Sequence, residues 1–308
     1  MKTDLDHLPD RKRRDLARIV EILFAEFEDA IALSTQKWKK QGRILKVILY
    51  GSYARGDWVA DPKGGYYSDY DILVVVSDER LTDPVDYWYK AEDHFLREYS
   101  IGKKLSAPVG LIVHSLGDVN FQLSRGRPFF IDILRDGVVL YEFGTQSFDP
   151  PKPLSPDLAR EEAQAYFEKW FKSASAFFRN AGYAIKDGEN NLAAFLLHQA
   201  TEHFYHTVLH VLTLYSPKSH KINFLRDKAE DIARELIPVW PRDEKFARRC
   251  FELLQQAYVN ARYSSHYKIT DGELEWLVER IELLQAEVRS IAETRLSEGL
   301  APHHDKSE

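Results

Sequence analysis

The stretch Tyr50-Gly-Ser-Tyr-Ala-Arg-Gly56, followed by Ser68-Asp-Tyr-Asp-Ile-Leu-Val74, holds the residues best suited to chemistry. An apolar run ends at Tyr50, and Gly51 and Ser52 make a tight turn into a short helix. Glycine lets a backbone approach a ligand closely, and amides at a helix start attract anions. The Ser52 hydroxyl adds a donor for a phosphate. Arg55, one helical step later, adds positive charge on the same side. Asp69 and Asp71 stand two apart at the start of an apolar run, so the period of a strand puts both carboxylates on one face. Two such carboxylates repel unless a cation sits between them. Mg²⁺ suits a couple of carboxylates completed by substrate phosphates. A phosphate-holding turn beside a carboxylate pair is what metal-assisted nucleotidyl transfer needs. Glycine turns and Asp-rich strand starts are each common alone. The weight rests on their joint order: strand, GSxxRG, spacer, then SDxDhhV with h apolar.

The elements that must hold these residues change character near residue 150. Before it, Ile44–Tyr50, Tyr70–Val76, Val109–Val113 and Val138–Tyr141 are β-branched runs that read as strands. Leu16, Ile19, Val20, Leu23, Phe24, Phe27 and Ile31 share one helical face. A second helix is expected over about 83–99. Strands alternating with helices predict an α/β (α+β) unit with a small mixed sheet. Phe148–Pro156 carries four prolines and reads as a stiff linker, closed by Ser155 as N-cap and Pro156 as first helical residue. Beyond it, helices are expected over about 156–182, 189–215, 220–237, 242–264 and 271–297, forming an antiparallel bundle. The domain expectation is 1–147 for the first domain, 148–156 for the linker, 157–297 for the bundle and 298–308 for a disordered tail. The pair His303-His304 falls in that tail.

The chain has 308 residues with 44% hydrophobic and 29% charged, ordinary for a globular protein. No apolar run approaches the ~18 residues that span a bilayer, so no membrane role is expected. A single cysteine, Cys250, and the absence of a secretory-type start point to a cytoplasmic setting. The net charge of −6 argues against stable DNA binding. The aromatics Tyr166, Phe167, Trp170, Phe171, Phe177 and Phe178 read as core or as the face of a homodimer. His206 and His210, one helical turn apart, read as core or interface side chains in the absence of a third ligand.

The joint GS and DxD pattern closely resembles the DNA polymerase β-type nucleotidyltransferase superfamily, above all its small prokaryotic members and the kanamycin-type enzymes. The likeness spans about residues 40–145. It implies that Gly51 and Ser52 hold the triphosphate, with Arg55 and Ser68 beside them, and that Asp69 and Asp71 hold Mg²⁺ or Mn²⁺. The implied reaction moves a nucleoside monophosphate from an NTP, with ATP the leading donor, to a hydroxyl of a small molecule or protein, releasing pyrophosphate. Relatives usually carry a third carboxylate on a later strand. The matching run here, Val109–Ser115, has no acid. His114 is its titratable group and joins Asp69 and Asp71 as a catalytic candidate, with Asp118 and Asp132 as other nearby acids.

The second half, from about 156 to 295, resembles the HEPN domain through Asn191–His203, Lys218–Leu225 and Ala257–Tyr263. In kanamycin-type enzymes a helical C-terminal domain closes the cleft. Gln199, Glu202 and His203 are candidates for lining it. HEPN ribonucleases carry an Arg, four to six residues, then His. Here three residues separate Arg262 from His266. The leading expectation is therefore a nucleotidyltransferase. The alternatives are a catalytically impaired nucleotide-binding regulator and a HEPN-type ribonuclease or toxin–antitoxin fusion.

Overall fold

A computed structural model describes residues 1–32, 34–61 and 66–298. They cluster into two compact units, 1–153 and 154 onward.

The first unit is built on a four-stranded mixed sheet. Its strands are β1 (Ile44–Tyr50), β4 (Tyr70–Val76), β5 (Val109–Ser115) and β6 (Val138–Glu142), in the order β5-β4-β1-β6. Between β1 and β4, Ala60–Asp61 (β2) and Tyr66–Tyr67 (β3) pair as a small ribbon. β4 runs antiparallel to β1 and parallel to β5, and β6 closes the other edge antiparallel to β1. Every residue of β1 and β4 is buried. Central strands covered on both faces read as unbroken apolar runs, which is why these two are plain in the sequence.

One face carries α1 (Asp10–Ala32) and, after a short α2 (Lys37–Lys40), α4 (Tyr89–Ser100). Leu16, Ile19, Leu23 and Phe27 of α1 share a core with Val47, Leu49, Ile72, Val74 and Val76. The alternates Leu45, Ile48, Leu73 and Val75 are buried outside that core, so the other face is covered too. The helix expected over 83–99 is in fact a wide π-type turn, Pro84–Trp88, running into α4. The Asp83 carboxylate caps it by accepting from the amides of Val85 and Asp86. Helices α5 (Leu116–Ser124) and α6 (Pro128–Asp136) precede β6. Residues 146–155 form neither helix nor strand, and the Lys152 amide donates to Leu123 at the end of α5 (3.1 Å).

The second unit is helical: α7 (Pro156–Lys186), α8 (Asn190–Thr213), α9 (Ile222–Ile232), α10 (Lys245–Tyr263) and α11 (Asp271–Glu298). α8 runs through its centre, with fourteen buried residues. Phe171 is buried in this core, and Phe167, Phe177 and Phe178 pack against it. Ser155 caps α7 by accepting from the Leu158 amide, with Pro156 in the first turn. Ser155→Ala is expected to cost about 1 kcal/mol, read as a lower urea midpoint for loss of helical signal.

The break expected at Gly182 does not occur. A Cβ there would meet nothing within 4 Å, and tertiary packing of a long helix outweighs one glycine. The chain turns instead at Gly188, where φ is +75°. The helix expected to run to 237 ends at Ile232, where Ala233 leaves the helical region (φ −140°), and the chain resumes as a 3-10 turn from Arg234 to Val239. Residues 299–308, with His303-His304, lie outside the described residues.

Candidate active site

The pairing of β1 with β4 sets Tyr50 opposite Asp71. The turn that follows β1 is thereby delivered onto the acid pair that opens β4. Gly51 adopts φ +71°, and a Cβ built there would overlap Asp71 Oδ2 and lie 3.0 Å from its Cγ. Glycine at this position is a contact requirement, since the turn backbone lies directly against the carboxylate. Ser52 is the second residue of the one-turn α3 (Gly51–Arg55), whose end is closed by Gly56 donating to the Ser52 carbonyl at 2.8 Å. The Ser52 side chain is buried, and its Oγ has no hydrogen-bond partner in the protein. A buried hydroxyl without a partner costs free energy unless something satisfies it. A phosphate oxygen seated on the turn would do so.

Asp69 is 7% exposed and Asp71 1%. Burying two carboxylates two residues apart is costly unless a cation or bound donors compensate. Among the described residues no group of three or more His, Cys, Asp or Glu side chains could hold a metal ion. The acids available to a cation there are the pair Asp69 and Asp71. Two carboxylates suit Mg²⁺, which completes its shell with waters and phosphate oxygens, better than a closed all-protein cage.

The other expected residues are placed as follows. Ser68 clasps the loop before β2: its amide donates to the Val59 carbonyl (2.9 Å) and its Oγ accepts from the Val59 amide (3.0 Å). Its hydroxyl oxygen thus holds the β2–β3 ribbon in place. Arg55 ends α3 on the surface, paired with Asp57 at 3.3 Å. His114 is not brought to the acid pair. In the parallel pairing of β4 and β5, Asp71 stands beside Gly110, whereas His114 stands beside Val75. Four residues along a strand are about 13 Å. His114 instead bonds through Nδ1 to Asp118 of α5 (2.5 Å) and packs edge-on against Phe130. Asp132 lies on α6, ion-paired to Arg135 at 2.9 Å. The residues of β5 level with the pair are Val109, Gly110 and Leu111, none of them titratable.

In the helical unit, Arg262 and His266 do not share a helix, because α10 stops at Tyr263. Arg262 lies over the rings of Phe195 and Tyr258 and donates through Nε to the Tyr258 carbonyl (2.7 Å). The α8 residues expected to line a cleft have an internal order that sequence reasoning missed. Buried Glu202 accepts from Gln199 and sits 2.9 Å from His220 Nδ1, with His198 and His206 one turn to either side. Their i, i+4, i+8 spacing was the available signal. His206 and His210 both pack on Trp170, with their ring centroids 6.3 Å apart, as core side chains do.

Comparison with known proteins agrees with this geometry. The nucleotidyltransferase domain family matches residues 34–140. A protein of Methanocaldococcus jannaschii, provisionally designated a protein adenylyltransferase, is 32% identical over 107 residues, covering 34% of this chain and 86% of the relative. The chain belongs to the nucleotidyltransferase family. The HEPN domain family matches residues 167–291, so this nucleotidyltransferase carries a helical HEPN domain after its catalytic-type unit. No helix among the described residues of the nucleotidyltransferase is long and apolar enough to cross a membrane.

Proposed function

We propose that the first unit transfers the AMP group of ATP to a hydroxyl acceptor in a divalent-metal-dependent reaction. The observation that carries this reading is the Gly51 turn lying against the Asp71 carboxylate, with the partnerless Ser52 hydroxyl one residue further on. Asp69 and Asp71 hold Mg²⁺ or Mn²⁺, which when bound neutralises phosphate charge and polarises the α-phosphate. Ser52 donates to a phosphate oxygen, and Gly51 admits the triphosphate to the backbone. The surface pair of Arg55 with Asp57 is worth little, so the guanidinium is free to turn to a phosphate. The acceptor oxygen forms a bond to the α-phosphorus, the bond to the β-phosphate breaks, and pyrophosphate leaves. The acceptor proton passes to solvent, since His114 is turned to Asp118.

The name of the archaeal relative favours ATP as donor and a protein hydroxyl as acceptor. The acid-free stretch of β5 beside the pair favours a second reading, a regulator that binds ATP without turnover. Calorimetric titration of Mg²⁺·ATP into the full chain tests the binding step. The wild type is expected to bind, and Asp69→Asn/Asp71→Asn to bind at least about tenfold more weakly. Equal affinity in the two proteins would defeat the reading. Pyrophosphate release with a set of hydroxyl acceptors then separates the enzyme from the regulator.

A further inference from the structure

Beneath the two arms of this site lies a polar network that no step of the transfer uses. On α1, Lys12 and Asp15 are three residues apart and share a face. Lys12 Nζ donates to the Tyr53 hydroxyl and to Ser106 Oγ, both at 2.9 Å. The Tyr70 hydroxyl donates to Asp15 Oδ2 at 2.8 Å, and the Ser106 amide donates to the same oxygen at 2.9 Å. The two tyrosine rings lie 4.5 Å apart, with the Lys12 ammonium 5.0 and 5.3 Å from their centroids.

The positions of these partners give the network its meaning. Tyr53 directly follows Ser52. Tyr70 stands between Asp69 and Asp71, and its amide donates to the Pro108 carbonyl at the entrance of β5. Ser106 lies on that same entrance. Three separate segments are therefore tied to one turn of α1.

A carboxylate, an ammonium and two phenols gathered at this depth are a poor choice for stability alone. Asp15, Tyr53 and Tyr70 are buried, and burial lowers the Lys12 pKa and raises those of both tyrosines. Apolar side chains of similar volume would serve packing as well. They would not fix a distance, which directional hydrogen bonds do.

We propose that Lys12, Asp15, Tyr70 and Ser106 act as a positioning clamp that sets the spacing between the Ser52 turn and the Asp69/Asp71 pair. The proposal rests on the nucleotide reading of that site. Its consequence is that metal–nucleotide affinity depends on bonds made on the far side of the strand from the ligand.

The test is Mn²⁺ binding in the presence of ATP, followed by electron paramagnetic resonance on the full chain, with near-ultraviolet circular dichroism to score the folded state. Tyr70→Phe and Asp15→Ala are each expected to weaken Mn²⁺·ATP binding about tenfold in protein that is still folded. Lys12→Arg keeps a donor and is expected to stay near wild-type affinity. The double variant Tyr70→Phe/Asp15→Ala is expected to bind no worse than Asp15→Ala alone, because loss of the carboxylate already removes the bond from Tyr70. A network that serves only stability would lower the unfolding midpoint and leave the affinity of the folded protein unchanged. Wild-type affinity in folded Tyr70→Phe and Asp15→Ala, alongside loss in Asp71→Asn, would overturn the clamp and spare the nucleotide reading. Failure of the wild type to bind Mn²⁺·ATP would overturn both. Should Tyr70→Phe not fold, Ser106→Ala takes its place: weakened binding supports the clamp, and wild-type affinity overturns it.

Discussion

Gly51→Ala is expected to lower ATP-dependent turnover by at least about 100-fold while leaving most of the fold intact. Two separate effects produce this. An alanine at φ +71° costs about 1–2 kcal/mol for a left-handed backbone. The added methyl would also occupy the space of Asp71 Oδ2, so either the carboxylate or the turn must move. A shift of about 1 Å in a reacting constellation is enough for an effect of this size. Gly56→Ala separates the two causes. Gly56 has φ +94°, but the nearest atom to a Cβ there is His7 Cδ2 at 3.6 Å. That variant suffers backbone strain without touching an acid. It is expected to lose stability and keep Mg²⁺·ATP affinity. Ser52→Ala removes one hydroxyl and is expected to cost about tenfold in affinity, in keeping with one lost hydrogen bond to a charged group. Calorimetric titration reads affinity in the three folded proteins, pyrophosphate release reads the turnover of Gly51→Ala, and the urea midpoint reads the stability of Gly56→Ala. Near-wild-type affinity in Gly51→Ala would mean that the turn and Asp71 do not act on one ligand.

The parts of this site that local physics dictates were legible from the residues. Ile44–Tyr50 and Tyr70–Val76 appear at their expected bounds because a doubly covered central strand is an unbroken apolar run with sharp punctuation. The glycine turn and the spacing of Asp69 and Asp71 are likewise local. Register is not. Nothing in the run VGLIVHS tells which residue stands beside Asp71, and it is Gly110 rather than His114 that takes that place. The network of Lys12, Asp15, Tyr70 and Ser106 was equally hidden, since it joins segments up to 94 residues apart and leaves no periodic trace. Helix ends failed where tertiary packing overrode a local signal. Gly182 sits inside α7, while the Asp83 cap and Pro84 turned an expected helix start into a wide turn.

His206→Gln is expected to reduce the acid sensitivity of the helical unit, by about 2 kcal/mol between pH 7 and 4.5. Burial pushes the imidazoles of His198 and His206 down to about 3 and that of His203 to about 4. Unfolded, each titrates near 6.5. Between those values the unfolded chain takes up protons that the folded chain refuses, so stability falls with pH. Three carboxylates of the unit, wholly or partly buried, oppose this. Glu230 is pushed up to about 7, and Glu202 and Asp227 are raised, all chiefly by burial. They hold protons more firmly in the folded state, and so add stability as pH falls. The contribution of a single imidazole is the cleaner quantity: one that charges only on unfolding is worth about 1.4 kcal/mol for each pH unit below 6.5. His206→Gln removes one of the three imidazoles and leaves a polar atom for Ser216, whose hydroxyl lies 2.6 Å from His206 Nδ1. The variant is expected to lose less stability than the wild type between the two pH values, because one proton fewer is taken up on unfolding. Urea unfolding of the full chain at both pH values, read by amide exchange along 190–213, checks the slope. Equal slopes in the wild type and His206→Gln would show that this imidazole is reached by water and protonates freely in the folded bundle.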